Sequence, residues 1–152
     1  MFVTGMSGTG KSSALAELAR RGHRVVDTDY GGWIEREGEP LWREDRIDAL
    51  LDEHGDETLF LAGCVANQGR FYERFDAVVL LSAPPDVILG RVAVRETNEF
   101  GKTDAERRRI LDDLETVEPH LRRGATDEID TRAPLGEVVD ALERIASERI
   151  DP

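Results

Sequence analysis

The chain has 152 residues, 39% of them hydrophobic and 34% charged, with a formal net charge of −12. This length fits one domain with one hydrophobic core, and the composition is that of a folded protein rather than a disordered one. A surface this acidic argues against nucleic acid and anionic membranes as partners, and the longest apolar run, at 77–81, is too short to cross a bilayer.

Patterns typical of strands and helices alternate along the chain. The predicted strands are the apolar segments 1–4, 23–29, 58–62, 77–82 and a weaker one at 126–130. The predicted helices are 12–21, one beginning at Pro40, 84–95, one from a Thr103 capping box to about Leu121, and a C-terminal helix. This alternation predicts an α/β fold with three layers, in which a parallel sheet of about five strands carries helices on both faces.

The sequence GMSGTGKS at 5–12 matches the phosphate-binding pattern G-x-x-x-x-G-K-[ST], with a predicted strand before it and a predicted helix after it. Backbone N–H groups of such a loop surround a phosphate, and the positive end of the following helix faces the same anion. Lys11 is predicted to reach the β- and γ-phosphates of ATP, and the Ser12 hydroxyl to ligate Mg²⁺. The predicted nucleotide-binding residues of this loop are Gly8, Thr9, Gly10, Lys11, Ser12 and Ser13.

Two aspartates, Asp27 and Asp29, follow the second predicted strand. Ligands of α/β proteins bind at this edge of the sheet. Asp27 is predicted to serve Mg²⁺, and Asp29 to orient an acceptor and to take a proton from its hydroxyl. A pair of turn-forming aspartates would give the same pattern, so the metal, acceptor and turn roles all stay open here.

The loop and the aspartate pair, with GEPLWREDR at 38–46 and RVAVR at 91–95, together resemble the small P-loop kinases, which include the shikimate, gluconate and adenylate kinases. The resemblance spans nearly the whole chain. It implies one P-loop kinase domain over 1–152, with an acceptor-binding segment at about 30–56 and a short lid at about 95–104. It also implies transfer of the γ-phosphate of ATP, with Mg²⁺, to a hydroxyl or phosphate of a small-molecule acceptor.

The same resemblance implies roles for several charged residues. Shikimate kinases grip their substrate with the second aspartate and an arginine, positions that Asp29 and Arg43 resemble. In adenylate kinases, arginines placed like Arg91 and Arg95 stack on the adenine and contact the transferring phosphate. Arg95 is therefore a predicted catalytic residue, together with Lys11 and Asp29, while Arg91 is predicted to bind the nucleotide. A solvated surface pair is the other interpretation of the two arginines.

The tail GATDEIDTRAPLGEVV at 124–139 is similar to the last strand and the adenine-side loop of these families, which places Arg132 near the base. The segment at 62–70 departs from the shikimate kinases, which have a run of glycines there, and their R-P-L-L lid motif is missing. GCVANQGRFYERF, at 63–75, instead resembles the acceptor-side loop of atypical adenylate kinases. Its residues Gly63, Gln68 and Arg70 are predicted to contact the acceptor, with ordinary loop roles as the alternative.

A nucleotide-hydrolysing switch or assembly factor without a small acceptor is the second class of function that the loop allows. A GTPase switch is disfavoured because the sequence contains no N-K-x-D motif for guanine. The single cysteine, Cys64, excludes an intramolecular disulfide and is interpreted as a packed residue. The single cysteine and the lack of a signal-peptide pattern at the N-terminus together predict a cytoplasmic protein.

Overall fold

The computed structural model describes residues 1–96 and 98–150. The strands are β1 Phe2–Thr4, β2 Arg24–Asp27, β3 Ile34–Glu35, β4 Leu41–Trp42, β5 Leu59–Ala62, β6 Val78–Ser82 and β7 Asp127–Asp130. The α-helices are α1 Lys11–Arg20, α2 Glu44–Glu53, α3 Pro85–Val94, α4 Asp104–Thr116, α5 Glu118–Gly124 and α6 Leu135–Ile150, and a 3₁₀ helix covers Gln68–Arg74. Within the described ranges, no helix is both long and apolar enough to cross a membrane.

Five of the strands form one sheet in the order β2-β5-β1-β6-β7, and every neighbouring pair in it is parallel. All residues of β5 and β6 are buried, as expected of strands that are covered on both faces. The predicted α/β fold with a five-stranded parallel sheet is therefore confirmed.

The side chains of the central strands alternate between two apolar clusters, one on each face of the sheet. Val3 and Phe60 pack with residues of α1 and α6, including Leu142, in the first cluster. Their neighbours Phe2 and Leu61 pack on the opposite face, with residues of α2 and the 3₁₀ helix. Since successive residues of a strand point to opposite faces, one short strand contributes to both layers of the core.

The prediction that the second helix begins at Pro40 is wrong. Leu41 and Trp42 instead form β4, which pairs antiparallel with β3, and the helix begins at Glu44. Trp42 is buried, and its backbone N–H and carbonyl are both bonded to the side chain of Asn67, at 2.9 and 3.1 Å. A bond from a distant side chain thus fixes extended backbone at a position where local pattern favours a helix.

The single long helix predicted from Thr103 to about Leu121 is divided into α4 and α5. The capping box is confirmed, because Thr103 Oγ1 accepts from the N–H of Glu106 and the Glu106 carboxylate accepts from the N–H of Thr103. Pro119 has no N–H to donate and its ring crowds the preceding turn, which explains the break at Val117 and the new start at Glu118.

The loops at the carboxyl ends of the parallel strands meet at one edge of the sheet. A cavity of about 450 Å³ opens there, between the loop that joins β1 to α1 and the start of the segment after β2. A smaller cavity, of about 150 Å³, opens at the other edge, where Met1, Leu59 and Ala77 precede or begin their strands. The larger cavity has the position that α/β proteins use for ligands.

Candidate active site

The loop at 5–10 curls tightly at the end of β1, and two of its glycines are required by that geometry. A Cβ on Gly5 would lie 2.5 Å from the carbonyl oxygen of Leu81 on the neighbouring strand. Gly8 has a φ of +85°, a left-handed conformation that side chains disfavour. Thr9 is fully buried, and its hydroxyl donates to the Met6 carbonyl at 2.8 Å. The Thr9 side chain therefore holds the loop in shape.

Lys11, the first residue of α1, lies across this loop. Its Nζ donates to the carbonyl oxygens of Gly5, at 2.5 Å, and Met6, at 3.1 Å. Burial lowers the pKa of Lys11, and the nearby Cys64 and Asp29 oppose that effect. The ammonium group is thus held over the loop by carbonyl oxygens that the oxygens of a bound phosphate can replace.

Ser12 and Asp27 meet at the same edge. Ser12 Oγ donates to Asp27 Oδ2 at 2.7 Å, and Asp27 Oδ1 accepts from the backbone N–H of Asp29 at 3.1 Å. Among the described residues no group of three or more His, Cys, Asp or Glu side chains is arranged to hold a metal ion. A hydroxyl beside one carboxylate nevertheless fits Mg²⁺, which takes one or two protein oxygens and completes its shell with water and phosphate oxygens.

Asp29 and Tyr30, which follow β2, also line the cavity. Partial burial and the charge of Asp27 raise the pKa of Asp29, and Lys11 and Arg36 oppose this rise. A carboxylate whose pKa is raised is a better proton acceptor. Tyr30 is 61% exposed, so its ring is free to contact a bound molecule.

Arg91 and Arg95 both line the cavity, but the predicted shared helical face is wrong for Arg95, because α3 ends at Val94 and Arg95 has extended backbone. Arg91 donates to Oγ1 of Thr131 at 2.9 Å and to its carbonyl oxygen at 2.5 Å, which connects α3 to the loop after β7. Arg95 follows α3 and donates to Ser7 Oγ at 3.2 Å and to the Phe100 carbonyl at 2.7 Å. Arg95 thus joins the phosphate-binding loop to the predicted lid, of which Thr97 lies outside the described residues.

The structure gathers most of the predicted nucleotide and catalytic side chains around this one space, which we call the P-loop cavity. Its lining includes the predicted residues Gly8, Gly10, Lys11, Ser12, Ser13, Asp29, Arg91 and Arg95. Sequence reasoning missed five other residues of the lining, which are Met6, Ser7, Tyr30, Cys64 and Asn98. For Tyr30 and Cys64 the signal was available, because each lies just beyond the end of a predicted parallel strand.

The predicted acceptor residues other than Asp29 lie outside the lining of this cavity. Arg43 pairs with Glu35 at 3.0 Å, and Arg70 pairs with Glu44 at 3.2 Å. Gln68 is buried, and its amide bonds to Thr4, Tyr72 and the backbone of Val65. Acceptor contacts by these three side chains stay predictions, and the geometry gives each of them a structural role.

Gly63 and Arg132 also have local packing or pairing partners. A Cβ on Gly63 would lie 2.3 Å from Thr28 Oγ1, which itself accepts from the indole N–H of Trp42 at 3.0 Å. Gly63 therefore lets β5 and the Trp42 side chain approach one another. Arg132 is paired with Asp130 at 2.7 Å, and its contact with the base also stays a prediction.

Residues 1–112 match a protein-family model described as AAA domain, which is well over half of the chain. The chain belongs to the AAA domain family. Shikimate kinase from Acinetobacter baumannii in complex with shikimate has the same fold, with a TM-score of 0.66, 24% identity, and 97% of this chain and 90% of that one covered. A gluconokinase from Sinorhizobium meliloti 1021 aligns with a TM-score of 0.60, 22% identity, and 97% and 91% covered. The predicted likeness to the small P-loop kinases is confirmed at the level of the fold.

This AAA domain chain also matches part of a group of larger proteins. It is 38% identical over 89 residues to the HPr kinase/phosphorylases of Bacillus cereus (strain B4264) and Bacillus anthracis (strain A0248). The matched stretch is 53% of this chain but 27% of those proteins, so the chain spans about a quarter of the curated relatives that it matches.

Proposed function

We propose that this protein is an ATP-dependent, Mg²⁺-dependent kinase that transfers the γ-phosphate of ATP to a small-molecule acceptor. One observation carries the proposal: Lys11, Asp29 and Arg95 all line the P-loop cavity at the carboxyl edge of the sheet. Phosphoryl transfer needs positive groups that stabilise charge on the transferring phosphate, a role that fits Lys11 and Arg95. It also needs a group that orients the acceptor, a role that fits the carboxylate of Asp29.

In the proposed reaction, an acceptor hydroxyl oxygen forms a bond to the γ-phosphorus. The bond between that phosphorus and the β–γ bridging oxygen breaks, ADP leaves, and the hydroxyl proton passes to the carboxylate of Asp29. Lys11 and Arg95 hold the phosphate oxygens while negative charge shifts toward the leaving group. Ser12 and Asp27 would hold Mg²⁺, which when bound neutralises charge on the β- and γ-phosphates.

Two segments are assigned to the remaining tasks. Residues 30–56 would bind the acceptor, since they begin with Tyr30 at the cavity and carry the β3–β4 hairpin and α2. Residues 95–104 would close over the nucleotide, since Arg95 already bonds both the phosphate-binding loop and Phe100. A cytoplasmic location fits a chain with a single cysteine.

The test combines nucleotide binding with an acceptor screen. Thermal unfolding should shift upward with ATP and Mg²⁺, because a ligand that binds the folded state stabilises it. Hydroxylated metabolites and nucleoside monophosphates are then screened for acceptor-dependent release of ADP. A shift with ATP but equal ADP release with and without every acceptor would favour the hydrolase, and no shift at millimolar nucleotide would contradict nucleotide binding itself.

A further inference from the structure

Two arginines of the proposed acceptor-binding segment, residues 30–56, are bonded to other groups of the protein. Arg43 pairs with Glu35 at 3.0 Å. Arg46 donates to the carbonyl oxygens of Gly31 and Gly32, at 3.1 and 2.7 Å, and its guanidinium lies 4.4 Å from the centre of the Trp33 ring. These bonds give both arginines protein partners in place of a carboxylate or phosphate of the acceptor.

The remaining cations near the cavity differ in their surroundings. Arg36 is exposed to solvent, and its charge acts on Asp29, where it opposes the rise in the pKa of that carboxyl group. Of the cations that line the cavity, Lys11 and Arg95 are assigned to the phosphates, and Arg91 is bonded to Thr131. Recognition of an anionic acceptor relies on arginine forks or ammonium groups, and Arg43, Arg46 and Arg91 are already bonded to groups of the protein.

The net charge of residues 30–56 also disfavours an anionic acceptor. Residues 30–56 contain nine Asp or Glu and three Arg, a net charge of −6, which is half of the net −12 of the whole chain. Asp27 and Asp29 add two further carboxylates at the start of the segment. A field of one sign lowers the local concentration of ligands that carry the same sign.

The groups that do face the acceptor side suit hydroxyls. Asp29 offers carboxylate oxygens that accept from O–H donors, and the exposed ring of Tyr30 offers a flat apolar surface. We propose that the acceptor is a neutral or positively charged hydroxyl compound that carries no carboxylate or phosphate group. This inference rests on the proposed kinase function and specifies the substrate class of the same site.

The first experiment compares matched acceptors. Each pair contains one acidic compound and its uncharged counterpart: gluconate with glucitol, shikimate with its methyl ester, and AMP with adenosine. Acceptor-dependent ADP release should give a kcat/KM that is about tenfold or more higher for the neutral member of an active pair, which corresponds to about 1.4 kcal/mol. Preference for the acidic member would overturn this inference and leave the kinase function standing. With ATP bound, no stimulation by any member would overturn both.

The second experiment removes the ion-pair partner of Arg43. Glu35→Gln removes the ion-pair partner of Arg43, so the ratio of acidic to neutral kcat/KM should rise by about tenfold. Glu37→Gln is the matched control, since it removes the same charge from the same exposed segment and Glu37 forms no ion pair among the described residues. An unchanged ratio in Glu35→Gln, with thermal unfolding like that of the parent, would contradict the argument from arginine pairing.

Discussion

The hydroxyl of Ser12 donates a hydrogen bond of 2.7 Å to the carboxylate of Asp27. The bond ties the first turn of α1 to the end of β2 and leaves two oxygens side by side at the P-loop cavity. Asp29, two residues further on, lines the cavity itself. The two aspartates thus differ in position: Asp27 is bonded to Ser12, the proposed Mg²⁺ ligand, and Asp29 lines the cavity in which we propose that the acceptor binds.

This difference predicts opposite behaviour for two isosteric variants. Asp27→Asn should weaken ATP–Mg²⁺ binding by about tenfold, because a charged metal ligand is lost, a change of about 1.4 kcal/mol. Asp29→Asn should leave ATP affinity nearly unchanged and abolish acceptor-stimulated ADP release, because the proton acceptor is lost. Calorimetric titration with ATP–Mg²⁺ and acceptor-dependent rates measure the two effects. Equal losses of ATP affinity in both variants would mean that the pair serves the metal alone.

Lys11 provides a second prediction. Lys11→Ala should lower acceptor-dependent kcat by about 100-fold or more, because a positive group at the transferring phosphate is removed. Its thermal unfolding should remain near that of the parent, since Lys11 Nζ bonds loop carbonyls rather than core groups. Arg144→Ala is the control, because it removes a positive charge from an exposed position on α6, outside the lining of the P-loop cavity, and should retain most of the activity. Near-parent kcat in Lys11→Ala would mean that its role here is wrong.

Gly63 provides a prediction about stability. Gly63→Ala should destabilise the fold by about 1–3 kcal/mol, because the new Cβ would lie 2.3 Å from Thr28 Oγ1. Gly69→Ala is the control, since a Cβ there meets nothing within 4 Å, and its effect should be within about 0.5 kcal/mol. Urea unfolding of the three proteins measures both. If Gly63 instead acts mainly through the acceptor, the variant will lose activity while its unfolding midpoint stays that of the parent.

The parts of the fold and site that follow from local pattern were predictable from the sequence. The parallel strands are continuous apolar runs, and the phosphate-binding loop has fixed residues at fixed spacing, so both can be recognised without knowing what they contact. Asp29 and Arg91 were predicted from their place at a strand end and on a helix face, and both line the P-loop cavity.

The parts that depend on distant partners were not predictable. β4 exists because Asn67, 25 positions away, bonds the backbone of Trp42. Gln68 is a residue type that often binds ligands, but here its side-chain amide is buried. The amide donates a hydrogen bond to the hydroxyl of Thr4, 64 positions away. Single-sequence patterns carry no information about such pairings, so residue type alone cannot tell a buried amide from one that faces a ligand.

The last prediction concerns stability at acid pH and the ion pairs of α1. Hydrogen bonds from Arg20, helped by Arg21, lower the pKa of Glu17 from 4.5 to about 2. A carboxyl group whose pKa is lower in the folded state contributes stability that is fully present above the unfolded value and is lost as pH falls through the folded value. Urea unfolding between pH 2 and 7 should therefore show the parent more stable than Glu17→Gln near neutral pH, with a difference in unfolding free energy that shrinks below pH 4.5 and vanishes near pH 2.

Glu148→Gln is the control for the Glu17 prediction, since Glu148 is exposed and forms no ion pair within the described residues. Its difference in unfolding free energy from the parent should stay small throughout. Parallel stability curves for the parent and Glu17→Gln over this range would show that the pairs with Arg20 and Arg21 contribute nothing to the folded state.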